Sequence, residues 1–351
     1  MKMAGNRVKP YFKELIEEYV FDELSDDFLN RMNAGDLLSG VPLPIRAETA
    51  AQIYGGKGQL SMLDLTRACG IIIGTDPDFP YTDAYKQFLQ RTFREHTEEV
   101  LVNEAHAHFR NGKLKAAACL AAGALLFNEN ARDALYSYAL FCREIYQTAN
   151  EREEALSPEE LERFIGSFKA ETMECLETLT LRFPEFAFPY YYLGFAYLNM
   201  GLYTKAYLTW SDFLAKIKKD PLADEVQEEC KEIEERMASL AGPMEIEEGT
   251  AAIASGRYHE GIEILSRYRD GVLSSWWPMH YYLGIAYACT GQAQEAVDAF
   301  KRALALSPSN LEVMDELISV YRALGDRENE LKYTAKMEVV RKNHEAEERG
   351  E

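Results

Sequence analysis

The chain has 351 residues, and its 38 basic against 58 acidic side chains give a net charge of −20 at pH 7. Such a charge repels phosphate groups, so it argues against nucleic acid or an anionic membrane as a partner. No apolar run approaches the roughly 20 residues of a membrane span, and no signal-peptide core follows the first residues. A cytoplasmic protein is expected, one that attracts basic proteins or peptides.

The six cysteines are widely separated and include no CxxC pair, which predicts reduced, buried thiols rather than disulfides. They are Cys69, Cys119, Cys142, Cys175, Cys230 and Cys289.

The first 96 residues contain clusters of proline, glycine and aspartate and no repeated pattern. We expect a helical N-terminal module over 1–96 that caps the rest of the chain or, alternatively, folds into its concave face. The predicted helices cover 8–23, 25–32, 46–54, 60–73 and 82–109.

Two motifs in this module resemble ligand sites. Gly55-Gly56-Lys57-Gly58 lacks the preceding strand and the spacing of a phosphate loop, so a flexible connection is preferred. Asp76 and Asp78 flank a proline, which is typical of a turn, although a hard-cation site or an active site there is an alternative.

A polar stripe follows one face of the helix that ends near Phe109. His96, Glu99, Asn103 and His106 recur at helical spacing, so metal ligation is conceivable, but a stripe that lines a groove is preferred. The chain has no HExxH, no CxxC and no Ser-His-Asp order. We therefore predict no catalytic residue, no metal site and no cofactor, and so a protein that is not an enzyme.

Between 132 and 186 the sequence predicts a pair of helices over 131–147 and 158–183. Ser157 and Glu160 form the pattern of a capping box at the start of the second helix.

One heptapeptide occurs twice, as YYLGFAY at Tyr191–Tyr197 and as YYLGIAY at Tyr281–Tyr287. Leucine, glycine and the last tyrosine share one face of a helix. Gly284 is expected to face Ala296 on a second helix, and the intervening Gly291 is expected in the left-handed conformation of a helix end. The residues that follow at matching spacing are Gly201, Ala206 and Trp210 after the first copy, and Gly291, Ala296, Phe300, Ala303 and Pro308 after the second.

This pattern resembles the tetratricopeptide-repeat family, whose units of about 34 residues are stacked helical hairpins. The resemblance implies an all-α fold, a right-handed α-α superhelical solenoid over 97–344. Repeats are predicted near 98–131, 187–220, 242–276, 277–310 and 311–344, with an irregular segment at 132–186, an extra amphipathic helix at 221–241 and a disordered tail at 345–351.

Some positions depart from the family pattern. Glu104 and His108 replace its leucine and tyrosine in the first repeat, which puts the core of that unit in doubt. In the last repeat, Glu330 and Thr334 are expected to form a solvent-facing cap. The extra helix is expected to begin at Pro221 and to pack Leu222 and Leu240 on its apolar face.

The resemblance also implies a binding surface, because in this family the first helix of each repeat lines a concave groove. The groove is predicted to be apolar and tyrosine-rich, unless its aromatic residues are covered internally. A scaffold or adaptor that binds a protein or peptide is the preferred function, as a monomer or homodimer. The alternative is an acidic chaperone or peptide-sensing regulator for a basic or secreted client. The candidate residues are His106, Tyr136, Phe188, Tyr191, Phe195, Asn199, Tyr281 and Ile285.

Overall fold

The computed structural model describes residues 7–57, 59–153 and 155–349, and of residues 345–349 it describes the backbone alone. The all-α class is confirmed, apart from one short pair of strands. The chain forms two compact units, one up to Leu193 and one from Gly194 onward. Among the described residues, no helix is both long and apolar enough to cross a membrane.

The first unit contains mostly short elements before α5 and, apart from the short α10, long helices from α5 onward. In chain order they are α1 (Glu14–Glu17), β1 (Tyr19–Asp22), α2 (Asp26–Arg31), α3 (Gly35–Leu38), β2 (Leu43–Arg46), α4 (Ala47–Tyr54), α5 (Met62–Thr75), α6 (Thr82–Phe93), α7 (Thr97–Arg110), α8 (Leu114–Leu125), α9 (Arg132–Gln147), α10 (Ala149–Arg152) and α11 (Pro158–Arg182).

The helix α12 (Phe188–Asn199) begins in the first unit and ends in the second. The second unit continues with α13 (Tyr203–Ile217), α14 (Gln227–Ser239), α15 (Ala241–Ala254), α16 (Tyr258–Ser266), α17 (Trp277–Cys289), α18 (Ala293–Leu306), α19 (Leu311–Leu324) and α20 (Arg327–Arg349). The predicted domain limits at 96 and 344 remain predictions.

The pair of strands corrects the helix predicted over 8–23. β1 runs antiparallel to β2, with Tyr19 opposite Arg46 and Asp22 opposite Leu43. Tyr19 is buried whereas Val20 is exposed, the alternation of a strand with one covered face. Aromatic and β-branched residues favour this conformation, and three of them, Tyr19, Val20 and Phe21, outweigh the helical pattern before them.

The helix predicted over 82–109 is also wrong, because it is broken between α6 and α7. Arg94 has a φ of +52°, which no α-helix accommodates. The hydroxyl of buried Thr97 donates a hydrogen bond of 2.7 Å to the Arg94 carbonyl, which closes the turn.

Close packing of α5 on α8 joins the N-terminal segment to the first repeat. A Cβ added at Gly74 would lie 1.8 Å from the carbonyl oxygen of Cys119, and one at Gly123 would lie 2.7 Å from that of Gly70. Only glycines allow two helix backbones to approach so closely. This contact supports the interpretation of residues 1–96 as a cap, which remains a prediction.

Three hairpins of the second unit contain the same kind of contact between their two helices. In each, a glycine of the first helix faces a large side chain of the second; for Gly284 the nearest side chain is Phe300, and the predicted approach to Ala296 stays a prediction. A Cβ at Gly284 would lie 2.5 Å from that ring. The pairs are Gly194 with Trp210, Gly249 with Leu265, and Gly284 with Phe300.

The turn inside each hairpin follows the sequence prediction. Gly291 has a φ of +78°, the left-handed conformation expected where the first helix ends. Equivalent glycines in the other repeats have φ values between +71° and +83°; they are Gly112, Gly201, Gly256 and Gly325.

Two predicted helices and one cap in the irregular segment are confirmed. α9 and α11 match 131–147 and 158–183 closely. The Ser157 hydroxyl accepts a hydrogen bond from the Glu160 backbone N–H, and the Glu160 carboxylate accepts one from the Ser157 N–H.

The extra helix α14 begins at Gln227, later than the predicted Pro221. Asp220 accepts a hydrogen bond of 2.9 Å from the Leu222 backbone N–H, so the chain turns here before the helix begins. Ile233 and Leu240 are buried, but Leu222 is exposed.

Glu330 corrects the expectation of a solvent-facing cap in the last repeat. It is 8% exposed and lies 3.0 Å from both Arg322 and Arg327. A covered carboxylate paired with two exposed arginines therefore occupies the position where the repeat pattern places a small residue.

All six cysteines are free thiols, four of them buried. Cys230 is only half-buried and Cys289 is exposed, which corrects the expectation that every thiol is buried. Cys289 is the last residue of α17 and points away from the core that Leu283 and Tyr287 enter.

Candidate protein-binding faces

The eight candidate residues all lie on the first helices of hairpins, at their surfaces. Seven are half-buried and Asn199 is exposed. His106, Tyr136, Phe188 and Tyr191 belong to the first unit. Phe195, Asn199, Tyr281 and Ile285 belong to the second, so each unit presents its own face.

In the first unit, Tyr136 lies at the centre of an aromatic cluster with Phe186, Phe188 and Tyr192. Its ring centroid is 4.9 Å from that of Phe186 and 6.4 Å from those of the other two. The Arg143 guanidinium lies over the Tyr192 ring at 4.9 Å. Burial raises the pKa of Tyr136 well above its ordinary value, so the phenol stays neutral.

The repeat pattern singled out Tyr136 and Phe188 but missed Phe186 and Tyr192. Phe186 precedes the repeat, and Tyr192 occupies a position that the family pattern leaves unspecified. Their role depends on how α9 packs beside α12, which spacing within one repeat does not reveal.

The polar stripe that ends at His106 does not converge on one point. His96 contacts Glu99, with Nδ1 3.2 Å from Oε2, while His106 Nε2 lies 2.9 Å from the Ser137 hydroxyl. Burial lowers the pKa of His106, which favours the neutral ring. Among the described residues, no group of three or more His, Cys, Asp or Glu side chains is placed to hold a metal ion.

The structure accounts for Glu104 and His108 in the first repeat. Arg67 of α5 forms an ion pair with Glu104, and the His108 Nδ1–H donates a hydrogen bond of 2.9 Å to the Glu104 carbonyl. Glu104 therefore pairs with Arg67 of the N-terminal helices. At the positions of Glu104 and His108, other repeats bury a leucine and a tyrosine.

Asp76 and Asp78 form a turn, the preferred interpretation. The Asp76 carboxylate accepts a hydrogen bond from the Asp78 backbone N–H at 3.1 Å and lies 2.6 Å from the Lys9 ammonium. Gly55 and Gly56 follow α4 in a turn, while Gly58 lies outside the described residues.

In the second unit, Tyr281 and Ile285 lie one turn apart on α17 and face the same way. The Tyr281 hydroxyl donates a hydrogen bond of 2.8 Å to the Glu312 carboxylate, and the Tyr281 ring centroid lies 6.0 Å from that of Phe300. Burial, and then Glu312, raise the pKa of Tyr281, so the phenol remains a hydrogen-bond donor.

The α19 helix carries three carboxylates near this face: Glu312 accepts the Tyr281 hydrogen bond, Glu316 lies near the same hydroxyl, and Asp315 lies near Glu316. In the described part of the chain, none of the three forms an ion pair. Burial, together with the charges of Asp315 and Glu312, raises the pKa of Glu316. The face around Tyr281 therefore combines an apolar surface with carboxylates that pair with no basic side chain among the described residues.

Phe195 is partly covered by the extra helix. The Arg236 guanidinium of α14 lies 5.1 Å from the Phe195 ring centroid, and the Trp210 ring lies at 5.0 Å on an edge-to-face contact. Arg236 is held by Glu232 at 2.7 Å. The sequence predicted α14 but not this contact.

Residues 278–310 match a family model described as tetratricopeptide repeat. A crystal structure of MamA is 16% identical, with a TM-score of 0.31, and covers 52% of this chain and 95% of its own. MamA from residue 41 to the end, from Desulfovibrio magneticus RS-1, is 13% identical, with a TM-score of 0.25. This match covers 70% of the present chain and 96% of that MamA chain. The TPR domain of P58(IPK) is 17% identical, with a TM-score of 0.35. This match covers 70% of the present chain and 61% of the P58(IPK) chain.

A search of curated proteins gives no match. TM-scores below 0.5 do not establish a common overall arrangement. The repeat assignment therefore rests on the matched segment and on the glycine-centred hairpins of this chain.

Proposed function

We propose that the chain is a non-catalytic tetratricopeptide-repeat scaffold that binds an extended segment of a partner protein on its first-helix faces. The segment carries apolar side chains flanked by lysine or arginine. The observation that supports this is the Tyr281 face, where apolar surface lies beside Glu312, Asp315 and Glu316.

The chemistry of this face defines the partner. Tyr281 and Ile285 offer apolar area that a hydrophobic side chain would bury, at about 25 cal/mol for each Å² removed from water. A lysine or arginine beside it would approach Glu312 and Asp315 and offset their charges, which together with burial raise the pKa of Glu316. The net charge of −20 would accelerate the encounter with a basic segment.

The candidate residues of the first unit have a second role in this proposal. The aromatic cluster around Tyr136 is already packed and holds Phe188 in place, which preorganises a surface for side-chain contacts. The same preference for basic segments fits an acidic chaperone for a basic or secreted client, which would differ in releasing its client to a further protein.

The proposal is tested by selecting peptides from a random library on the unmodified protein. We expect the selected peptides to place Lys or Arg next to an apolar residue. Their affinity, measured by fluorescence anisotropy, should fall at least about tenfold in Tyr281→Ala/Ile285→Ala, since truncation of a central aromatic anchor has an effect of that order. Binding should also weaken as salt is raised.

The matched control is Leu208→Ala, which truncates another exposed apolar side chain of the second unit. It should bind the peptides as the unmodified protein does. Equal affinity for the double variant and the unmodified protein would show that this face is not the binding site.

A further inference from the structure

The last helix, α20, has apolar residues on two opposite faces. Its inner face packs Tyr333, Met337 and Val340 against the core of the second unit. Its outer face presents Leu331, which is 54% exposed, and Val339, which is 59% exposed. No other described element covers these two side chains, so the stripe is apolar surface that a partner would bury.

Charged side chains flank this outer stripe in a symmetrical order about Ala335. Seven residues before it is Glu328 and seven after it is Lys342; three before it is Lys332 and three after it is Glu338. All four are exposed, and none forms an ion pair with a residue whose side chain the structure describes. Each acid is therefore matched by a base at the same distance on the other side of Ala335.

We propose that the outer face of α20 binds the same face of a second copy of this chain, antiparallel and about a twofold axis at Ala335. A twofold contact requires a surface that complements itself, and an antiparallel pair brings opposite ends of the helix together. Leu331 of one copy then lies level with Val339 of the other, and the small Ala335 at the centre lets the two helices approach.

The charges select this orientation over the parallel one. In the antiparallel pair, Glu328 lies opposite Lys342 of the other copy, at both ends of the contact. Lys332 likewise lies level with Glu338. A parallel pair would place Glu328 against Glu328 and Lys342 against Lys342, and like charges in contact repel.

The contact is small. A helix of 23 residues is about 35 Å long, so one helix pair buries less area than a typical stable interface. The dimer is therefore a reversible, concentration-dependent one. It uses none of the residues of the proposed peptide-binding face, so the two proposals stand or fall separately.

The first experiment measures mass by sedimentation and light scattering over a range of concentrations. The unmodified chain of 40.0 kDa should rise toward twice that mass as concentration increases. Leu331→Glu should remain a monomer over the whole range, with an unchanged helical circular dichroism spectrum. The control Leu208→Glu, at a side chain that is 59% exposed, should dimerise normally.

A charge exchange tests the orientation. Glu328→Lys and Lys342→Glu should each weaken self-association at least tenfold. The double variant, or an equal mixture of the two single variants, should recover it. Tyr281→Ala/Ile285→Ala should dimerise like the unmodified chain, whatever it does to peptide binding.

Three results would overturn the proposal: a monomer at every concentration, a dimer that survives Leu331→Glu, or no recovery in the charge-exchanged double variant. The last two would assign the exposed stripe to a different partner or a different arrangement.

Discussion

The two units pack their helices around glycine in different ways. In the first, Gly74 of α5 meets the backbone carbonyl of Cys119 on α8, and neither backbone can move without shifting a helix. In the second, Gly284 meets the ring of Phe300, a side chain that can turn. Gly74 should therefore tolerate substitution less well than Gly284, because an added Cβ would lie 1.8 Å from a backbone oxygen at Gly74 and 2.5 Å from a ring atom at Gly284.

The largest effect is expected for Gly74→Ala. The added methyl would overlap the Cys119 carbonyl and force α5 from α8, so we expect a loss of about 3 kcal/mol or more in the free energy of unfolding, measured with denaturant. Gly166→Ala in α11, where an added Cβ meets nothing within 4 Å, is the control and should stabilise by about 0.5–1 kcal/mol. A smaller loss at Gly74 than at Gly284 would reverse the comparison.

Next is Gly284→Leu in the second unit. The larger side chain displaces the Phe300 ring from the hairpin core, and we expect a loss of about 1–3 kcal/mol because the ring can adjust in part. Thermal melts followed by circular dichroism measure it. Unchanged melts would mean that the contact between α17 and α18 is looser than the structure shows.

A smaller effect should follow Glu104→Leu, which restores the leucine found at this position in Leu193 and Leu283. It leaves Arg67, with its side chain 34% exposed, without its ion-pair partner. We expect a loss of about 1 kcal/mol in denaturant unfolding. Arg67→Leu/Glu104→Leu should recover most of it, and no recovery would argue against the ion pair as the reason for this exception.

The smallest effect concerns pH and Glu330 in the last repeat. Arg322, and then Arg327, hold the pKa of Glu330 below its ordinary value. The stabilisation is therefore present above the ordinary pKa of a glutamate and is lost as pH falls through the lowered value. Glu330→Gln should melt slightly earlier at pH 7, and the difference should vanish in acid.

The control for this comparison is Glu248→Gln on α15, an exposed glutamate with no ion pair among the described residues. Its melting difference should stay small at every pH. A Glu330→Gln difference that persists in acid would assign the effect to packing and not to charge.

The sequence predicted what lies within one hairpin better than what lies between hairpins. The turn at Gly291 and the cap at Ser157 depend on neighbours a few residues away, and both were confirmed. The antiparallel pairing of β1 with β2 joins segments far apart in the chain, and only four alternating residues indicate it. The partner of Gly284 depends on the register of two helices, which spacing along the chain does not fix.

For the candidate faces, too, the sequence predicted positions within one helix but not contacts between helices. Positions on the first helices could be read from the repeat pattern, and the structure places all eight residues at the surface. The covering of Phe195 by Arg236 and the acidic surroundings of Tyr281 required the packing of α14 and α19. That these faces bind a partner stays a prediction.

The one exposed thiol gives this chain a built-in reporter. Cys289 lies on α17, two turns beyond Tyr281 and one beyond Ile285, and it is the only exposed cysteine of the six. Burial raises the pKa of the Cys119 thiol to about 12, and it raises that of Cys69 further, which keeps such thiols from reacting. A maleimide fluorophore or a spin label should therefore attach first at Cys289, beside the Tyr281 face, and Cys230→Ser would remove the half-buried thiol as a second position.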